Sequence, residues 1–109
     1  MGTVAFTPDM IGLISARFKA LAEPARLHIL QSLRGGERTV TQLVNDTGLA
    51  QANLSKHLAH LHSLGFVRRR KEGLFAYYAL ADTRVARMCD IMCGRLEAET
   101  RDRNRIFAV

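Results

Sequence analysis

Three groups of side chains in this sequence have types and spacings that could do chemistry. The first is the polar set Gln51, Asn53, Ser55, Lys56 and His57. Gln and Asn amides can bond adenine in two places at once, and Ser, Lys and His reach base edges or phosphates. Upstream, Thr41 and Gln42 offer further donors for a phosphate. The second group is the basic run Arg68, Arg69, Arg70 and Lys71. Arg69, Arg70 and Lys71 are candidates to face a nucleic-acid backbone, while one arginine of the run could simply support a sheet. The third group is Cys89 and Cys93. On a helix, residues four apart share a face with Cβ atoms about 5–6 Å apart, whereas a disulfide prefers about 3.5–4.5 Å. An intrahelical bridge is therefore strained. Thiolates at this spacing suit zinc, copper(I) or arsenite, or redox chemistry. Free cysteines also pack well in apolar stripes, and spacing alone leaves both readings open.

The charge distribution favours nucleic acid as the partner of the first two groups. The chain has 109 residues and a formal charge of +6. Residues 51–73 carry Lys56, Arg68, Arg69, Arg70 and Lys71 against Glu72 alone, a net +4. The segments on either side are nearly neutral. Charge runs are commonly solvated faces, but a general solvated face has no reason to be confined to two elements. A basic domain of this size is expected to meet something acidic.

Helices and a hairpin must hold these residues. Thr7 suits an N-cap and Pro8 a first helical position, opening a helix over 7–21 with Ile11, Ile14, Phe18 and Leu21 on one face. Pro24 starts a second helix carrying Leu27, Ile29, Leu30 and Leu33, ended by Gly35 and Gly36. Thr39 and Gln42 form a capping box for a short third helix over 40–46, and Gly48 supplies the left-handed C-cap. A fourth helix over 51–64 has the stripe Leu54, Leu58, Leu61 and Leu64, and Gly65 stops it. Two strands follow, 66–70 and 74–80, joined by a turn at 71–73. Asp82 caps a last helix, about 82–99, whose stripe is Val85, Met88, Cys89, Met92, Cys93 and Leu96; residues 100–105 are polar and expected to fray.

Two helices joined by a tight glycine turn and followed by a basic hairpin give a mostly α (α+β) winged helix-turn-helix of about five helices and a two-stranded wing. The fourth helix can enter a major groove, and the hairpin can bring Arg and Lys beside the neighbouring phosphates. His57 lies just before Leu58, so it either faces DNA or ties the helix to its neighbour. Of Tyr77 and Tyr78, one is expected to pack inward and one to face out.

The run Leu-Ala-Glu-Pro-Ala-Arg-Leu-His-Ile-Leu at 21–30 resembles the second-helix signature of the ArsR/SmtB family of bacterial regulators. So does 53–67, with its Ser-x-His-Leu-x-x-Leu core and trailing glycine. Arg70 to Gly73 followed by Tyr77 to Leu80 resembles that family's wing. The resemblance spans about 8–100. It implies a homodimeric repressor on an imperfect palindrome of double-stranded operator DNA. It also implies a single domain over 1–109 whose terminal helices, about 7–21 and 82–99, form the dimer interface. The family's paired third-helix cysteines are replaced here by Thr39 and Thr41. Its last-helix Asp-x-His zinc pattern reads Asp82-Thr83-Arg84, and its later histidines correspond to Gly94 and Arg95. The persulfide-sensing pair lacks its second-helix cysteine. A metal, metalloid or thiol-reactive signal would then act at Cys89 and Cys93.

Other classes fit less well. No phosphate-cradling loop, nucleophile–base pair or zinc-protease motif is visible, so an enzyme is not expected. No apolar run is long enough for a membrane span. The segment 1–10 lacks the pattern of a secretory signal, so a cytoplasmic protein with reduced thiols is expected. The alternative is a ligand-independent winged-helix repressor, or a protein-interaction module in which Cys89 and Cys93 only pack.

Overall fold

The computed structural model describes residues 6–107. Helix α1 (Pro8–Leu21) opens at Thr7, whose hydroxyl accepts from the Met10 amide, with Pro8 in the first turn. Helix α2 (Pro24–Ser32) runs into a single 3₁₀ turn (Leu33–Gly35), and Gly36 leaves it with φ 126°. A short strand β1 (Arg38–Thr39) leads directly into α3 (Val40–Thr47). Thr39 and Gln42 make the expected reciprocal capping box, and Gly48 closes α3 at φ 72°, a conformation that a side chain would strain. Helix α4 (Gln51–Ser63) follows, then β2 (Val67–Glu72), β3 (Phe75–Leu80) and α5 (Arg84–Phe107).

The core lies where the apolar stripes meet. Ile29, Leu30 and Leu33 from the second helical segment pack with Leu43 of α3, with Leu54, Leu58 and Leu61 of α4, with Val67 of β2 and with Val85 of α5. The alternation of β3 puts Tyr78 and Leu80 against this cluster. The core thus fixes the angle of α4 and one face of the hairpin. The first-helix stripe behaves differently: Ala20 is buried, but Ile11 and Phe18 stay exposed. In α5, Val85 is buried, while Met88, Ile91, Met92 and Leu96 are exposed.

The hairpin departs from expectation in two ways. The sheet has three strands in the order β1-β3-β2, all antiparallel. Arg38 pairs with Tyr78 and Thr39 with Tyr77, so the wing is more than a two-stranded ribbon. A two-residue strand has too little pattern to read in sequence. The turn is also displaced: Lys71 pairs with Ala76 and Glu72 with Phe75, leaving only Gly73 and Leu74 between the strands. Gly73 has φ 60°. A two-residue loop whose first residue is a left-handed glycine matches the twist of the flanking strands, so Lys71 is a strand residue.

Helix α5 extends well past residue 99. No proline or helix-ending glycine interrupts it there, and Arg95 pairs with Glu99 one turn away at 2.9 Å. Its start is also shifted. Asp82 sits just ahead of the helix and its carboxylate accepts from the Arg84 amide at 2.8 Å.

Candidate nucleic-acid interface

The helix-turn-helix presents its polar residues on one side because the leucine stripe claims the other. With Leu54, Leu58 and Leu61 fully buried, Gln51, Asn53, Ser55 and Lys56 project from the exposed face of α4. Thr41 and Gln42 are exposed at the start of α3. The Gln42 amide oxygen accepts from the Thr39 backbone at 2.9 Å, so only its NH₂ remains free for a phosphate.

His57 takes a structural place. It is half-buried, and its Nδ1 accepts from Arg26 Nε at 3.1 Å. Accepting at Nδ1 leaves Nε2 as the protonated nitrogen of the neutral ring. Arg26 also reaches the Ala20 carbonyl near the end of α1, at 3.4 Å. His57 therefore ties α4 to α2 through Nδ1, and only its Nε2–H remains to reach a ligand. The bond spans 31 residues of sequence, so local spacing does not reveal it.

Strand alternation sorts the basic run into two faces. Val67, Arg69 and Lys71 share one face with their cross-strand partners Leu80, Tyr78 and Ala76. Val67 turns into the core. Arg69 and Lys71 are exposed and make no ion pair among the described residues. Arg70 points the other way. Its guanidinium pairs with Glu37 at 2.6 Å and with Glu72, and lies 4.4 Å over the Tyr77 ring. These carboxylates, Glu72 first, raise its pKa above the ordinary arginine value. Arg70 braces the wing against the segment before β1, and its charge is already balanced. The expected sheet-supporting arginine is thus Arg70, with Tyr77 as the outward tyrosine and Tyr78 as the inward one.

The thiols lie on α5, Cys89 half-buried and Cys93 exposed. Cys93 Sγ is 3.7 Å from a Glu97 carboxylate oxygen. That carboxylate is the main cause of a raised Cys93 pKa, with desolvation second. One turn away, Arg34 grips Asp90 in a two-pronged pair at 2.7 and 2.8 Å, fastening α5 to the end of the second helical segment. No group of three or more His, Cys, Asp or Glu side chains among the described residues could hold a metal ion.

Comparison with known proteins agrees with this geometry. Residues 23–69 match the family model described as bacterial regulatory protein, arsR family. The crystal structure of Rv0081 from Mycobacterium tuberculosis superposes with a TM-score of 0.79 at 33% identity, covering 90% of this chain and 98% of that one. The chain belongs to the arsR family of bacterial regulatory proteins. Another neighbour is a homodimeric winged helix-turn-helix DNA-binding domain from Mycobacterium bovis, solved in solution and described as a possible ArsR-family regulator. It has a TM-score of 0.75 and 32% identity, covering 89% of this chain and 90% of that one. Among curated relatives, a probable mercury resistance operon repressor of Streptomyces lividans is 42% identical over 69 residues, 63% of this chain and 55% of its own length. The regulator NmtR of M. tuberculosis is 39% identical over 77 residues, 71% of this chain and 64% of its own. The chain thus spans somewhat over half the length of these two relatives. No described helix is long and apolar enough to cross a membrane.

Proposed function

We propose that this arsR-family chain is a cytoplasmic, homodimeric transcriptional repressor that binds double-stranded operator DNA and is not an enzyme. One observation carries the reading. Lys71, which makes no ion pair among the described residues, is paired across the strands with Ala76, and Ala76 lines one groove with the exposed Gln51 and Ser55 of α4. A duplex can meet both elements at once, with base edges against α4 and phosphates against the hairpin. Thr41 and the free NH₂ of Gln42 extend the phosphate contacts.

The dimer follows from the apolar surface left over. Ile11 and Phe18 of α1 and Ile91, Met92 and Leu96 of α5 stay exposed among the described residues. Exposed apolar faces of this extent mark association surfaces. Residues 1–109 then act as one winged-helix unit whose terminal helices form the seam, and the Mycobacterium bovis neighbour described as homodimeric supports this. Release from DNA is assigned to a thiophilic ion (zinc, copper(I) or arsenite) or a thiol-reactive signal at Cys89 and Cys93. The mercury-operon relative supports that class of signal. One chain supplies two thiols, and pairing α5 helices from two chains would bring four together.

A salt titration of duplex binding, with the protein's size measured alongside, tests the reading. Expected are a dimer and a linear fall of log affinity with log salt, with a slope of about −0.9 for each phosphate neutralised. A flat salt dependence, or no duplex binding at low salt, overturns it. Met92→Glu should yield monomers that bind the duplex far more weakly.

A further inference from the structure

The least expected surface lies at the tip of the wing. Leu74 is 99% exposed and Phe75 58%, although the same hairpin carries the free cations. A groove runs between this tip and the helix-turn-helix. Its wing side is Leu74, Phe75 and Ala76, and its other side includes Thr41, Gln51 and Ser55. One wall is apolar and the other offers hydroxyl and amide donors. Lys71 stands beside it, paired across the strands with Ala76. An apolar helix from a protein partner would leave the hydroxyls and amide without use. A sugar–phosphate strand fits both walls, since it alternates anionic oxygens with the carbon edge of deoxyribose.

The geometry points to Leu74 and Phe75 as an apolar clamp on the DNA strand that runs between α4 and the wing. This rests on the duplex reading above and adds to it. With α4 in the major groove, the strand bordering that groove passes through the cleft. Thr41 takes one of its phosphates, Gln51 and Ser55 border it at the near end of α4, and Lys71 adds the neutralising charge. Leu74 and Phe75 press on its sugars from the minor-groove side, whose width of about 6 Å admits such a side chain. The clamp supplies affinity that does not come from counterion release, because it neutralises no phosphate. Arg69 and Lys71 supply the salt-sensitive share.

The test uses the full chain and a duplex of about 30 base pairs, long enough for two half-sites one helical turn apart, selected by the wild-type protein from a random pool. Leu74→Ser/Phe75→Ser should lower affinity about tenfold at every salt concentration, the scale of losing two apolar contacts, and leave the salt slope unchanged. Hydroxyl-radical footprinting, which reports on sugars, should show protection by the wild type that the double variant loses. Leu74→Met should retain both. Lys71→Gln serves as the contrast, lowering the magnitude of the slope by about 0.9. Wild-type binding with an unchanged affinity and footprint in the double variant overturns the clamp and leaves the duplex reading intact. A changed oligomeric state in the double variant also overturns it, because the tip would then be a protein contact. Failure of the wild type to bind any duplex at low salt removes both. The substituted residues are exposed, so the variants should fold as the parent does.

Discussion

Arg26 Nε donates to His57 Nδ1 at 3.1 Å, joining the first turn of α2 to the middle of α4. Arg26 also donates to the Ala20 carbonyl. One guanidinium therefore links the end of a proposed dimer helix to the helix proposed to read DNA. It sets the position of α4 without touching a base.

Removing either partner should loosen α4. Arg26→Ala and His57→Ala are each expected to lower unfolding free energy by about 1 kcal/mol, the usual worth of a partly buried hydrogen bond. Urea unfolding measures it. The double variant should lose less than the two single losses added together, since one bond cannot be lost twice. Full additivity would show that the bond contributes nothing.

The three outer residues of the basic run should behave unequally in DNA binding. Arg69→Gln and Lys71→Gln are each expected to lower the magnitude of the salt slope by about 0.9. Arg70→Gln should change it little, because Glu37 and Glu72 already balance that charge. Equal effects at all three positions would contradict the two-faced hairpin.

Asp82 gives a pH signature at the start of α5. Hydrogen bonds from the Arg84 side chain, and then from its backbone, lower the Asp82 pKa to about 2. A carboxylate with a depressed folded-state pKa stabilises fully above its unfolded value, about 3.9. The contribution fades as pH falls from there through about 2. The stability difference between wild type and Asp82→Asn should therefore be constant at neutral pH and shrink below about pH 4. Thermal unfolding across acid pH measures this.

Cys93 should be a slow thiol for its exposure. Glu97 disfavours the thiolate, so Glu97→Gln is expected to speed iodoacetamide alkylation of Cys93 several-fold near neutral pH. Cys89→Ser and Cys93→Ser should each bind operator normally yet fail to release it when a thiophilic ion is added. Normal release by both variants, followed by gel shift, would show that the thiols only pack.

Local signals carried much of the fold. Thr7 with Pro8, Thr39 with Gln42, and Gly48 each act within a few residues, and each helix start or stop they imply is present. The leucine stripe of α4 was equally legible, because burial follows the helical period. The hairpin turn slipped because Gly73 is compatible with the first or the last place in a turn, and only strand pairing decides. Long-range partners were not legible. Arg70 finds Glu37 33 residues away, and His57 finds Arg26 31 residues away. A basic run shows how much charge is present but not which charges are already spoken for. The same holds for the wing tip: Leu74 reads as a strand residue until the turn places it at the apex.

Thr39 belongs to two structures at once. It pairs with Tyr77 in the sheet and caps α3 with its hydroxyl. The wing and the helix-turn-helix are therefore joined at one residue, which ties the position of each to the other. A reader built this way has one fixed spacing of its own to offer a half-site. In the proposed dimer, tolerance for differently spaced half-sites would then come from the seam between the two chains, far from the residues proposed to meet a base.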